Sequence, residues 1–304
     1  MDAITGKIVA GDRRALARAA TWIEERRPEA ETLLKELFPR TGRALVLGVT
    51  GAPGSGKSTL CDQLACALRE ENQTVGILAV DPTSPYSGGA ILGDRIRMQR
   101  HHADPGVFIR SMATRGWLGG LARATTETTL LLDAAGFDVI IVETVGVGQD
   151  EVEIARLADV TLVVLVPGMG DDVQALKAGI MEIADVLIIN KEDQPGAEKL
   201  ERELKASINL AQRREGWTPR IVSTIATQGK GVREVLAAAR EYHGLDLEGR
   251  GDRQAHIWAG RLREMLRDRL LDRVPPAEFA EAGREVAARR RDPYSIIHDW
   301  LAKY

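Results

Sequence analysis

The chain has 304 residues, 44% of them hydrophobic and 28% charged, with a formal net charge of −3 and a pI near 6.0. This suits one large globular domain with extensions, and the slight acidity argues against nucleic acid as a partner, since binding it takes accumulated Lys and Arg. No apolar stretch approaches bilayer length, and Met1-Asp-Ala-Ile-Thr-Gly-Lys7 resembles neither a signal core nor a transit peptide, so a cytoplasmic protein without a membrane partner is expected.

Residues 1–42 read as a helical prelude. Leu16, Ala20 and Ile23 make one apolar stripe, and Leu33, Leu34, Leu37 and Phe38 a second before Pro39, so the segment should pack on the main domain. Arg13-Arg14 and Arg289-Arg290-Arg291 read as solvated helix faces. From about Arg43 to His243 short apolar segments alternate with helical patterns. Strands are predicted at 44–50, 75–80, 107–111, 138–143, 160–166, 185–190 and 220–224. Helices are predicted near 57–70, 93–101, 120–135, 150–157, 172–183, 197–214 and 230–242. Such alternation implies a largely parallel α/β sheet flanked by helices on both faces. Its ligands bind beyond the C-terminal strand ends, where the loops containing Gly51, Asp81, Glu143, Gly168 and Asn190 fall.

The first of these loops, Gly51-Ala52-Pro53-Gly54-Ser55-Gly56-Lys57-Ser58-Thr59, fits the phosphate-loop pattern G-x-x-x-x-G-K-[ST]. Its glycines let backbone N–H groups close on phosphates, Lys57 reaches the β and γ oxygens, and Ser58 ligates Mg2+. A buried strand precedes it, and the helix after it aims its N-terminal dipole at the anion. Cys61 and Cys66 lie on different faces of that helix and read as inert thiols.

Asp81 ends the next strand and opens a loop rich in Pro, Ser and Gly that runs to Gly93-Asp94-Arg95. Such a loop can act as a switch that orders around the γ-phosphate and Mg2+, with Asp81 holding a water or metal-bound water and Asp94 completing the metal shell. The plainer alternatives are a turn before Pro82 and a helix cap at Asp94. His101-His102 is expected at the surface or in interhelix packing. Glu143-Thr144-Val145-Gly146 takes the place of a D-x-x-G segment, whose acid reaches Mg2+ through water and whose glycine N–H senses the γ-phosphate. Glu keeps the charge and shifts the metal geometry by one methylene. Gln149 invites comparison with a water-orienting glutamine, at a different offset.

Between Gly168 and Lys177, the residues Asp171, Asp172, Gln174 and Lys177 form either a helix start or a partner-coupled switch. Asn190-Lys191-Glu192-Asp193 then fits N-K-x-D, in which the Asp carboxylate accepts hydrogen bonds from the guanine N1–H and 2-amino groups. Adenine would leave that carboxylate unpaired, which favours GTP over ATP. After Gly249-Arg-Gly251 the pattern is helical again, with Ile257, Trp258, Leu262, Met265, Leu266 and Leu270 spaced for one face, then Pro275-Pro276 and two shorter helices. These faces suit self-association or packing on the chain's own domain.

With the phosphate loop, D-P-T-S-P-Y-S-G-G-A-I-L-G-D-R, E-T-V-G-V-G-Q-D-E, P-G-M-G-D-D-V-Q-A-L-K-A-G-I and N-K-E-D in this order, the chain resembles the MeaB/ArgK family of SIMIBI-class P-loop GTPases over nearly its full length. Gly11 to Ala19 and Arg291-Asp292-Pro293-Tyr294 also look like the family's termini. The family includes the methylmalonic aciduria type A protein. The resemblance implies a P-loop GTPase domain at 43–248 between the helical segment 1–42 and a dimerisation arm at 249–304, the whole forming a homodimer. It implies a Mg-dependent chaperone of an adenosylcobalamin-dependent acyl-CoA mutase, methylmalonyl-CoA mutase or a relative, with a cobalamin adenosyltransferase as a further partner.

The same resemblance assigns Lys57, Ser58 and Thr59 to phosphate and Mg2+, and Asp81, Asp94 and Glu143 to the metal and switch shell. Asn190, Lys191 and Asp193 go to guanine, with Ala226 as a further base contact, although Ile225 departs from the small polar residue common there. The segment from Gly168 to Lys177 looks like the family's additional switch. No D-x-H-x-x-G motif is present, so no directly bound cobalamin is expected and the corrinoid belongs to the partner. Two alternatives stand beside this reading: a kinase linked to amino-acid transport, and a nucleotide-gated binding module with negligible hydrolysis.

Overall fold

The computed structural model describes residues 2–81, 98–101, 103–113, 120–144, 150–168, 183–210, 217–245 and 250–303. Its contacts divide the chain into two units, Met1–Leu247 and Glu248–Tyr304.

The first unit begins with α1 (Asp2–Val9), α2 (Arg13–Glu24) and α3 (Pro28–Leu37). Asp12 starts α2 by accepting hydrogen bonds from the N–H groups of Arg14 at 2.8 Å and Ala15 at 3.0 Å. Pro28 sits at the first position of α3, where its missing N–H costs nothing. Leu16, Ala20, Ile23, Leu33 and Leu37 are buried as their spacing requires. Phe38 departs from the expected stripe and is 50% exposed, because α3 stops at Leu37 and a 3-10 turn over Phe38–Arg40 rotates its side chain off that face.

Seven parallel strands come next: β1 (Leu45–Thr50), β2 (Val75–Asp81), β3 (Val107–Ala113), β4 (Val139–Glu143), β5 (Val160–Leu165), β6 (Val186–Asn190) and β7 (Arg220–Thr224). Their order in the sheet is β3-β2-β4-β1-β5-β6-β7. The central strands β1, β4, β5 and β6 read as almost unbroken apolar runs because both faces are covered, while the edge strand β7 is only partly buried. Leu47 and Val49 pack with Leu60, Leu64 and Leu68 of α4 (Lys57–Glu70) and with Val235 and Ala239 of α8 (Val232–Gly244). The opposite face, with Val46, Leu78, Ile140 and Val142, packs on α2, α3, α5 (Gly120–Ala134) and α6 (Asp150–Leu157). A third group joins Val163, Leu187 and Ile189 to α7 (Ala197–Leu210).

The prelude is tied to the sheet by polar contacts as well. Asp133, near the end of α5, accepts bonds from the N–H groups of Gly42, Arg43 and Ala44, satisfying the chain as it enters β1. Arg110 of β3 forks onto Glu24 of α2 at 2.7 and 2.8 Å. Arg13 and Arg14 are exposed, as expected, and Arg13 also donates to the carbonyls of Asp104 at 3.0 Å and Val107 at 2.7 Å at the edge of the sheet.

The second unit holds α9 (Arg250–Leu271), α10 (Pro276–Ala287) and α11 (Pro293–Lys303). Phe279 and Trp300 meet edge to face at 4.7 Å. Leu262, Met265, Leu266, Tyr294, Ile297 and Leu301 are exposed. Among the described residues no helix is long and apolar enough to cross a membrane.

Candidate functional site

The strand order places β1 between β4 and β5, so the chain leaves β1 toward one side of the sheet and later returns on its other side. Parallel sheets bind ligands at such a reversal, beyond the carboxyl ends. Thr50, Asp81, Glu143, Leu165, Asn190 and Thr224 all stand at that edge.

The loop from Gly51 to Gly56 wraps tightly onto its neighbours. Gly51 has φ of +141°, and a Cβ there would fall on the Val164 carbonyl oxygen. Gly56 has φ of +92°, and its Cβ would meet the Asn190 side-chain nitrogen. Both positions demand glycine for conformation and for closeness of approach. Lys57 is buried and folds back so that Nζ donates to the carbonyls of Gly51 at 2.8 Å and Ala52 at 3.0 Å. Its ammonium is thereby held in the mouth of the loop, where phosphate oxygens can replace the carbonyls as acceptors.

Next to it, Ser58 Oγ donates to Glu143 Oε1 at 2.6 Å. The two side chains come from α4 and from the end of β4, and their residues are only 9% and 5% exposed. Hard oxygen donors converging at the start of the phosphate helix match the coordination preference of Mg2+, which keeps waters and is held by one or two protein groups plus phosphate. The fit is good: Ser58 would supply the direct oxygen and Glu143 would act on the metal directly or through its waters. Among the described residues no group of three or more His, Cys, Asp or Glu forms an independent metal cluster. Asp81 ends β2, in register with Ala113 of β3, on the same edge of the sheet.

Asn190 joins three loops. Its Nδ2 donates to the Ser55 carbonyl at 2.8 Å, and its Oδ1 accepts from Thr224 Oγ1 and from the Ala226 N–H, each at 3.1 Å. Lys191 takes φ of +58°, uncommon for a side chain of this size, and donates from Nζ to the Gly54 carbonyl at 3.0 Å. That turn lets Glu192 N–H reach the Thr224 carbonyl at 3.1 Å, and Glu192 pairs with Lys230 at 2.6 Å. Asp193 is exposed beside them. Phosphate and base motifs thus form one bonded structure.

Sequence reasoning placed Asn190 and Ala226 at a base but missed Thr224, whose hydroxyl donates to Asn190, and missed the buried Thr50–Thr144 hydroxyl pair at 3.0 Å. Thr50 and Thr224 end β1 and β7, and Thr144 directly follows β4, which was the available signal. It also placed His101 at the surface or between helices. His101 is 4% exposed, lodged against Asp62 of α4. Cys61 is buried, and burial raises the half-buried Cys66 thiol above its ordinary pKa, in keeping with inert thiols. Asp94, His102, Gly146, Gln149, Asp171, Asp172, Gln174 and Lys177 lie outside the described residues.

Residues 16–278 match the family described as methylmalonyl Co-A mutase-associated GTPase MeaB. The chain belongs to the MeaB family. A Pyrococcus abyssi protein with a provisional GTPase designation is 46% identical over 97% of this chain and 94% of its own length. The GTPase ArgK of Escherichia coli is 39% identical over 76% of this chain and 72% of its own. A solved LAO/AO transport system kinase superposes with a TM-score of 0.75 at 28% identity, covering 99% of this chain and 96% of that one. As a MeaB-family protein the chain is a GTPase on a P-loop fold, as the order of its motifs implied.

Proposed function

We propose that this GTPase serves an adenosylcobalamin-dependent acyl-CoA mutase, methylmalonyl-CoA mutase or a close relative, gating cofactor loading and protecting or reactivating the enzyme. The family description, which names that mutase, carries the reading. It is supported by a mouse relative, the methylmalonic aciduria type A homolog, 35% identical over 80% of this chain and 63% of its own length. The corrinoid stays with the mutase, and a cobalamin adenosyltransferase is a further partner.

In this reading residues 43–248 carry the nucleotide chemistry. Gly51 to Gly56 present N–H groups to the phosphates with Lys57 and Thr59, while Asn190, Lys191, Asp193 and Ala226 hold guanine. Ser58, Asp81, Asp94 and Glu143 hold Mg2+, which when bound offsets phosphate charge, and Gly146 senses the γ-phosphate. Asp171, Asp172, Gln174 and Lys177 relay nucleotide state to the mutase. The exposed Leu262, Leu266, Ile297 and Leu301 of residues 249–304 are the contacts of a homodimer.

The test is GTP hydrolysis by the purified chain with Mg2+, alone and with each candidate mutase, with ATP as control. GTP-selective turnover that rises with one mutase is expected. No stimulation by any of them would remove the mutase reading. Transfer of the γ-phosphate to an acceptor other than water would favour the kinase reading, which the solved transport system kinase keeps in view.

A further inference from the structure

Helix α4 carries a polar stripe to which nucleotide binding gives no role beyond its first member. Ser58, Asp62, Cys66 and Arg69 recur at helical spacing and share one face. Ser58 meets Glu143. One turn on, Asp62 accepts a fork from Arg100, with Nε to Oδ1 at 2.8 Å and Nη2 to Oδ2. Its Oδ1 also lies 3.0 Å from His101 Nε2, which approaches the Asp62 carbonyl at 3.3 Å and Cys66 Sγ at 3.8 Å. A carbonyl oxygen only accepts, so that ring nitrogen carries a hydrogen. Further down, Arg69 forks onto Asp104 at 2.9 and 3.1 Å.

Asp62 is 9% exposed, and a buried carboxylate with two cationic or donor partners is costly to leave half paired. Arg100 and His101 belong to the segment by which the chain returns from β2 toward β3, directly after Met98, which is buried in the core that α4 helps to form. The first turn of α4 is therefore held from two sides: Glu143 grips Ser58, and the return segment grips Asp62 one turn later. Mg2+ demands near-ideal octahedral geometry at about 2.1 Å, so an error of a few tenths of an ångström in the serine oxygen matters.

We propose that Asp62 is a positioning residue for the metal site: through Arg100 and His101 it fixes the orientation of the metal-binding turn of α4 and so sets the affinity for Mg2+. This rests on Ser58 and Glu143 as metal residues. Asp62 itself touches neither of them among the contacts above.

The test uses the full chain loaded with GDP bearing an N-methylanthraniloyl fluorophore, and follows nucleotide release as Mg2+ is titrated. Asp62→Asn, which acts through the turn and not by direct contact, is expected to raise the Mg2+ concentration for half-maximal retention about tenfold, the lower end of the loss seen when a group hydrogen-bonded to a metal ligand is removed. Release at saturating Mg2+ should stay within about twofold of wild type. Arg100→Gln, a milder change at a more exposed position, should shift the titration in the same direction, and the double variant should shift it no further than Asp62→Asn alone. Arg69→Gln breaks a comparable ion pair about three turns from Ser58 and should lower the melting temperature without moving the titration. Equal shifts from Asp62→Asn and Arg69→Gln, or a lowered melting temperature with no shift, would overturn the proposal. A wild-type chain whose release ignores Mg2+ would overturn it together with the metal site.

Discussion

Replacing Asn190 with Ala separates the structural work of this side chain from its work on a base. The carboxamide, 2% exposed, makes three hydrogen bonds, to the Ser55 carbonyl, the Thr224 hydroxyl and the Ala226 N–H. Truncation leaves all three groups without that partner in a buried site, at about 1–3 kcal/mol each if none finds another. The vacated space is lined by polar groups, so a water entering it would recover part of the loss, which brings the expected sum to about 3 kcal/mol. For a unit of this size each kcal/mol lowers the melting temperature by about 2–4 °C, so a fall of about 6–12 °C is expected. The assay is thermal unfolding by circular dichroism without nucleotide, because ligand linkage would add its own stabilisation. Asp193→Ala, at an exposed position of the same motif, should move the nucleotide-free melting temperature by less than about 2 °C. Both variants should weaken GTP binding. If Asn190→Ala leaves the nucleotide-free protein within about 2 °C of wild type, the three-loop clamp does not stabilise the fold and the reasoning fails.

Gly56→Ala forces a Cβ against Asn190 at φ of +92°. It should cost about 1–3 kcal/mol in chemical denaturation and weaken GTP binding by more than about tenfold. Asp193→Asn offers a donor where xanthine carries its 2-oxygen, so XTP should gain on GTP in competition binding; an unchanged preference would remove Asp193 from base recognition. Burial opposes ionisation of Asp62, but hydrogen bonds from His101 and Arg100, with their charge, outweigh it and hold its pKa below the ordinary carboxylate value. Its contribution to stability is therefore complete above about pH 4 and is lost as pH falls through the lowered pKa. The stability gap between wild type and Asp62→Asn should narrow in acid, and a gap that widened there would contradict the sign. If the proposed homodimer forms through α9, Leu266→Asp should lower the sedimenting mass from two chains to one; a wild-type chain that already sediments as one chain would remove the homodimer, and an unchanged mass in the variant would place its interface elsewhere.

Much of the sheet was legible because its central strands are buried on both faces and all are short runs bounded by turn residues. The prediction of 75–80 against the observed Val75–Asp81, and of 220–224 against Arg220–Thr224, shows how little tertiary context those boundaries needed. Helix α4 runs over Lys57–Glu70 as predicted, since the glycine loop and the apolar period mark its start and face. The segments 51–59 and 190–193 were legible as motifs for a related reason: each is a local pattern written in a few consecutive residues. Phe38 was misread because a stripe says which residues could face the core and not where the helix ends.

Pairing across the fold was not written in any spacing. Asn190 and Ser55 are 135 positions apart, and Arg100 and Asp62 are 38 apart. They meet because β5 alone separates β1 from β6, and because the chain returns from β2 along the stripe of α4. By itself the sequence determined the strands, the phosphate loop and the base motif, through periodicity and local backbone chemistry. Only the tertiary structure decided that the two motifs share one clamp and that a carboxylate one turn after Ser58 is engaged, because a buried hydrogen-bonding group takes whichever partner the strand order brings within about 3 Å.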